Sequence, residues 1–251
     1  LLAVADLSLG AVGRHDRAGW LALFTPDIRL EDPVGSAPHI GHLQAGQFYD
    51  TFVGSREITF DAGADFVKGS AVARDLTVNV RMARAVTLTI PTILCYYLRE
   101  TDNGLKISRL QTYSDRPATM LQFARHGVTA VRPGLKLVRA LLANQGVTGT
   151  VGFLQSFSRT GPPARALVAD LFTALSFGDE LTTRRMLSHV PKADTDLGGL
   201  ADLLRVAHRR KVICAGWSVA VSLCGSDSER RGVVIVEVTD GPVISRLRFF
   251  G

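Results

Sequence analysis

Cysteine is scarce in this chain: Cys95, Cys214 and Cys224 are the only three in 251 residues. None lies close to another, which excludes a disulfide scaffold and a Cys-rich zinc module and fits a reduced, cytoplasmic setting. All three fall in apolar strand patterns and read as buried, inert thiols. Aromatic residues are few and do not alternate with Lys or Arg. Helix-turn-helix and zinc-finger spacings are also missing, so a nucleic-acid partner is not expected. Long hydrophobic runs are absent as well. The longest apolar stretch, 85–98, is interrupted by Pro91 and alternates like a strand, whereas a spanning helix needs about 20 apolar residues. Leu1 to Gly13 has no basic leading region and carries Asp6, which argues against a secretory signal. His39 and His42 sit three apart without a third ligand, so a loop and helix-start role is expected and neither metal nor cofactor is.

What remains is ordinary globular composition, 46% hydrophobic and 21% charged, long enough for one large domain or two smaller ones. Charge separates the chain into parts. Residues 1–113 carry 11 basic and 12 acidic side chains, and residues 164–251 carry 12 and 10. Between them, Arg116, Arg125, Arg132, Lys136, Arg139 and Arg159 face Asp115 alone, so nearly all of the +6 net charge lies in this segment. Pro117, Pro133, Gly134, Gly161, Pro162 and Pro163 punctuate it like a linker. Leu135, Val138, Leu141 and Leu142 fall at helical spacing inside it. The segment reads as a basic connecting helix packed on one domain; a basic amphipathic contact with an anionic membrane or a partner is the alternative.

The two flanks repeat one order of elements. "ISRLQTY" (107–113) and "ISRLRFF" (244–250) share four consecutive residues, and each follows a turn, "TDNG" or "TDG". Apolar strands precede both turns, at 93–98 and 233–238. Upstream, "HDRAGWLALF" (15–24) and "GDELTTRRML" (178–187) place Asp16 against Asp179. The pattern points to a tandem duplication whose second copy is shorter. The expected boundaries are 1–115, a connector over 116–163, and 164–251.

In the first copy, residues 2–13, 16–24 and 42–53 read as helices. Residues 25–32, 57–67, 71–83, 85–98 and 105–113 read as strands. Leu76, Val78, Val80 and Met82 alternate with polar positions, the mark of a half-buried strand. Pro91 inside a strand implies a bulge or an edge. Helices ahead of a long antiparallel run give an α+β class, and a curved sheet covered by helices encloses an apolar pocket.

The segment 23–52, "LFTPDIRLEDPVGSAPHIGHLQAGQFYDTF", carries the most specific motif. Glu31-Asp32-Pro33-Val34-Gly35-Ser36, then Pro38, Gly41 and the Phe48-Tyr49 pair, strongly resembles the ketosteroid isomerase branch of the nuclear transport factor 2-like (SnoaL-like) superfamily. The resemblance runs from the first helix through Tyr49, and Asp16, Gly19, Leu23, Phe24 and Asp27 also fit it. It implies two cone-shaped (cystatin-like) domains, each with helices on a curved antiparallel sheet. It also implies a small hydrophobic ligand, steroid- or polyketide-like, in the first domain.

In that family the aspartate of the Asp-Pro-Val-Gly run is the general base, which here is Asp32. It shuttles a proton between two carbons of a β,γ-unsaturated ketone while a Tyr and a protonated Asp hold the oxyanion. This chain departs from the family at that hole. The catalytic Tyr falls on Ser8, and the later Asp falls between Ile93 and Tyr96, where no carboxylate lies. Tyr49 is retained at a supporting position and is taken with Asp32 as a candidate catalytic residue; Ser8, His39, Tyr96 and Tyr113 are candidate ligand contacts. The alternative is a non-catalytic binder or interaction protein that has lost the oxyanion hole. The second copy has "VPKADTD" (190–196), with Thr195 at the position of Asp32 and no Pro-Val-Gly-Ser after it, so its pocket is expected to be degenerate. Because such domains dimerise through their sheets, the two copies are expected to form a pseudo-dimer within one chain.

Overall fold

The computed structural model describes residues 1–155, 162–190, 196–225, 231–239, 241 and 243–251. The chain divides into two compact units, Leu1–Phe157 and Ser158–Gly251. Asp194 and Thr195 of the second copy, Asp240 of its turn, and Arg159 and Gly161 of the connector lie outside the described residues.

The first unit opens with α1 (Leu2–Gly13), an apolar helix with Asp6 as its one charge. The short α2 (Arg17–Ala22) is capped by Asp16, whose Oδ1 accepts the Gly19 N–H at 2.8 Å. Then follow β1 (Phe24–Glu31), the two-residue β2 (His39–Ile40) and α3 (Gly41–Phe52). Four long strands come next: β3 (Glu57–Lys68), β4 (Ala71–Ala83), β5 (Val86–Thr101) and β6 (Gly104–Ser114). The helices and strands expected from the sequence are all present, with ends moved by a few residues.

The sheet order is β2-β1-β6-β5-β4-β3. An all-antiparallel sheet was the expectation, but β1 runs parallel to β6, so the sheet is mixed. The physical reason is the connection. A parallel pair needs a long crossover, and between β1 and β6 the chain makes α3 and four further strands. At Gly63 the β3–β4 register shifts, and any side chain there would strike the Asp75 carbonyl. This bulge bends the edge strand. Pro91 faces Thr77 of β4, whereas pairing of β5 with β6 begins only at Thr92. Its missing N–H therefore costs no ladder bond, since β5 is locally an edge. Two residues earlier the Thr89 N–H is satisfied by the Gln122 side chain at 2.9 Å.

Even-numbered β4 residues face the helices. Leu76 joins Ile28, Leu30, Ala45, Phe48, Trp20 and Ile107 in one apolar core. The basic segment belongs to this unit. It forms α4 (Arg116–Arg125), a 3₁₀ turn at Gly127–Ala130 and the long α5 (Val131–Gln155).

The second unit consists of α6 (Pro162–Phe177), α7 (Glu180–Met186) and α8 (Leu197–Val206), then a four-stranded antiparallel sheet. Its strands are β7 (Ala207–Ala215), β8 (Ser218–Gly225), β9 (Arg231–Val238) and β10 (Ile244–Phe250). Val168, Leu171, Phe172 and Leu175 form a helical stripe on α6 that packs with Leu200, Val221, Val234 and Leu247. Asp179 caps α7 through the Thr182 N–H at 3.0 Å. Cys95 and Cys224 are buried outside any disulfide, whereas Cys214 is only partly buried, against the expectation for all three.

Candidate active site

A cavity of about 550 Å³ lies between the helices and the sheet of the first unit. Its walls are mostly apolar, and each comes from a different element. Leu9 and Val12 come from α1, Phe48 and Phe52 from α3, Ile58 and Phe60 from β3, and Val78, Val80 and Met82 from β4. Leu88, Ile90 and Leu94 of β5 and Leu110 of β6 continue the lining. The period-two alternation read in the sequence is what turns these residues to one face. The wall is completed by Met120 and Phe123 of α4 and by Leu137, Val138 and Leu141 of α5. Gly134 of α5 packs against the Phe123 ring of α4, at a distance that would leave a β-carbon in ordinary van der Waals contact.

Asp32 lies in this wall, just past the end of β1. The Thr112 hydroxyl donates to its Oδ2 at 2.9 Å, and the Val34 N–H donates to the Thr112 carbonyl at 2.8 Å. Gly35 turns the chain with φ of 93°, a conformation that favours glycine, and the Ser36 hydroxyl closes the turn on the Pro33 carbonyl at 2.6 Å. The Asp-Pro-Val-Gly-Ser run therefore both ends a strand and sets a carboxyl on the cavity. Oδ1 of Asp32 has no hydrogen-bond partner among the described residues. Burial pushes the Asp32 carboxyl above its ordinary value; the Thr112 hydrogen bond and the charge of Arg116 pull the other way. Arg116, also on the cavity, is lowered by burial to about 10, with Asp32 opposing that shift.

A second polar group lies among Ser8, Trp20 and Tyr96, which all reach the cavity. Trp20 Nε1–H donates to Ser8 Oγ at 3.2 Å. Burial raises the Tyr96 phenol far above its usual value, against a hydrogen bond from Ser8 and the charge of Arg74, so Tyr96 is a neutral phenol. Arg74 is itself tied to Asp65 through Nε and Nη2, both at 2.7 Å, and to Asp6 of α1 at 2.7 Å.

The structure brings Asp32, Ser8 and Tyr96 to one cavity and leaves three other sequence candidates off its wall. Tyr49 packs beside Trp20, ring centroids 5.3 Å apart, with its hydroxyl buried and without a hydrogen-bond partner among the described residues. His39 stacks on Phe48 at 5.3 Å, and burial lowers its imidazole. Tyr113 falls between the lining residues Thr112 and Ser114, so it points to the other face, where its hydroxyl donates to Gln111 at 3.3 Å. On that face Glu31 accepts from Arg29, Arg109 and Gln111; burial raises its carboxyl, but the two guanidiniums outweigh this and hold it low. Sequence reasoning missed Trp20, Thr112, Arg56 and Arg116 as cavity residues. Thr112 was legible only through its place in the "ISRLQTY" strand beside β1. The others carried no spacing signal. Among the described residues no cluster of three or more His, Cys, Asp or Glu side chains has the makings of a metal site. No helix among them is long and apolar enough to cross a membrane.

Residues 6–107 match the SnoaL-like domain family. This matched part of the chain is similar to SnoaL-like domains, and it carries an α+β arrangement of a mixed sheet, helices packed on it and a cavity between them. Comparison with curated proteins gave no match. Several solved structures are similar. The Δ5-3-ketosteroid isomerase from Mycobacterium sp. is 28% identical, covering 47% of this chain and 94% of that one, with a TM-score of 0.43. A Mycobacterium tuberculosis protein solved with estradiol-17β-hemisuccinate is 24% identical, covering 46% and 94%, with a TM-score of 0.42. An epoxide hydrolase of the LEH-like type from M. tuberculosis is 18% identical, covering 52% and 94%, with a TM-score of 0.43.

Proposed function

We propose that the first unit binds a steroid or similar hydrophobic ketone and that Asp32 is the general base of a proton-shuttling double-bond isomerisation. The observation that carries this reading is a carboxylate with a free Oδ1 in the wall of an otherwise apolar cavity. Such a base removes the proton from the carbon between carbonyl and alkene. The electron pair moves toward the carbonyl oxygen as a dienolate, and the Asp32 carboxyl, now holding the proton, returns it two carbons away. Water-poor surroundings keep the proton on the shuttle. The family's Tyr and Asp donors are absent from this chain, and the neutral phenol of Tyr96, beside Ser8, takes their place. Tyr96 is therefore assigned as the donor to the developing oxyanion.

The test is incubation with a β,γ-unsaturated ketosteroid while conjugated-enone absorbance is followed. Asp32→Asn should abolish the rate, and Tyr96→Phe should lower it by about 100- to 1,000-fold. Binding of the same steroid without any turnover would favour the second reading, a non-catalytic carrier, and no binding would remove both.

We infer that the second unit is a shortened copy without a working pocket. Asp179 caps α7 as Asp16 caps α2, which fits their alignment. In the "ISRL" alignment Thr112 corresponds to Phe249, which fills that unit's apolar core. A phenylalanine there offers no hydrogen bond to a carboxylate.

A further inference from the structure

Arg56 is the one cavity-lining cation with neither an acidic partner nor a compensating charge among the described residues. It follows α3, is 8% exposed and borders the cavity. Its Nη1 donates to the carbonyls of Thr51 and Phe52, at 2.8 and 2.6 Å, which caps the helix end. Its Cζ lies 5.8 Å from the centroid of the Phe52 ring. Nε and Nη2 keep their hydrogens without a partner among the described residues. Burial alone acts on its ionisation, lowering it, and no neighbouring charge opposes the shift. The other charges on the wall are already coupled: Arg116 and Asp32 act on each other. A buried cation with unused donors is costly unless an anion completes it.

We propose that Arg56 anchors an anionic group on the ligand, so that the cavity takes apolar molecules ending in a carboxylate, sulfate or sulfonate. Nε and Nη2 form the planar fork that binds such a group through two parallel hydrogen bonds. Neutral ketones gain nothing from the charge of Arg56. The proposal rests on the cavity being a ligand site, as proposed above, and adds the charge of its ligand.

Fluorescence titration of the full chain with two probes separates these claims. 1-Anilinonaphthalene-8-sulfonate and N-phenyl-1-naphthylamine share one aromatic body and differ by the sulfonate. The sulfonate probe should bind at least about tenfold more tightly, the gain of one charge-assisted contact. Arg56→Gln should erase that preference while leaving the neutral probe within about twofold of its original affinity. Arg56→Lys should keep only part of it, because an ammonium carries the charge without the fork. Arg125→Gln, on the exposed basic helix, should change neither affinity. Equal affinities in the parent protein overturn the proposal. So does a preference that survives Arg56→Gln or disappears with Arg125→Gln. If Arg56→Gln fails to fold for want of the helix cap, an undiminished preference in Arg56→Lys overturns it instead. Failure of both probes to bind removes the cavity reading itself, whereas a neutral probe bound as well as the sulfonate removes only the anchor.

Discussion

Thr112 holds Asp32: its hydroxyl donates to Asp32 Oδ2 at 2.9 Å while its own carbonyl takes the Val34 N–H at 2.8 Å. Two neighbouring parallel strands thus clamp the turn that carries the carboxyl, since Glu31 and Gln111 are register partners one residue earlier. The clamp fixes one carboxyl oxygen and leaves the other facing the cavity.

Burial raises the Asp32 carboxyl, so the folded chain holds that proton more tightly than the unfolded chain. The resulting stability is present below the ordinary carboxylate value and is lost as pH rises through the raised folded value. Asp32→Asn should therefore melt higher than the parent at neutral pH, with the advantage shrinking in acid. Thr112→Val removes a hydrogen bond that lowers the carboxyl, so the Asp32 titration midpoint should move up. Melting curves over a pH series and carboxyl chemical shifts check the pair; a downward midpoint contradicts the clamp.

Ser8→Ala should cost about 1–3 kcal/mol, because the Trp20 indole N–H would stay buried without its acceptor. Denaturant unfolding measures it. Ser8→Thr, which keeps the hydroxyl, should recover part of the loss.

Gly35→Ala should cost about 1–2 kcal/mol, since φ of 93° is unfavourable for a residue with a β-carbon. The effect should be larger on Asp32-dependent turnover than on α1 or the second unit. Hydrogen exchange resolved by segment shows where protection is lost.

Leu141→Ala should destabilise the first unit by about 2–5 kcal/mol, because this α5 side chain is 2% exposed and closes the cavity wall. The neutral naphthylamine probe should dissociate faster from the variant in stopped-flow measurements. An unchanged melt would contradict the packing of α5 on the cavity.

Asp16→Ala and Asp179→Ala each remove an N-cap and should each cost about 0.5–2 kcal/mol. If the two units melt separately, each substitution lowers a different transition in calorimetry.

Much of this was legible in the chain itself. Alternation placed Leu76, Val78, Val80 and Met82 on one face, and the Asp-Pro-Val-Gly-Ser run fixed a turn with a carboxyl before it, because local periodicity and glycine conformation are properties of short segments. Ser8 and Tyr96 were flagged, yet nothing local could say that they meet. Tyr49 and Tyr113 looked equally suitable and were turned elsewhere by packing and by strand parity.

The sequence alone determined the elements, their order, the first unit's resemblance to SnoaL-like domains and the separation of the basic segment. Tertiary structure decided which side chains share a cavity. It joined β1 to β6 in parallel, which brought Thr112 to Asp32 across 80 residues of chain. It also laid the basic segment over the pocket, turning a connector into a wall. Those pairings depend on long-range packing, whose energy is shared among many distant residues and leaves no local spacing to read.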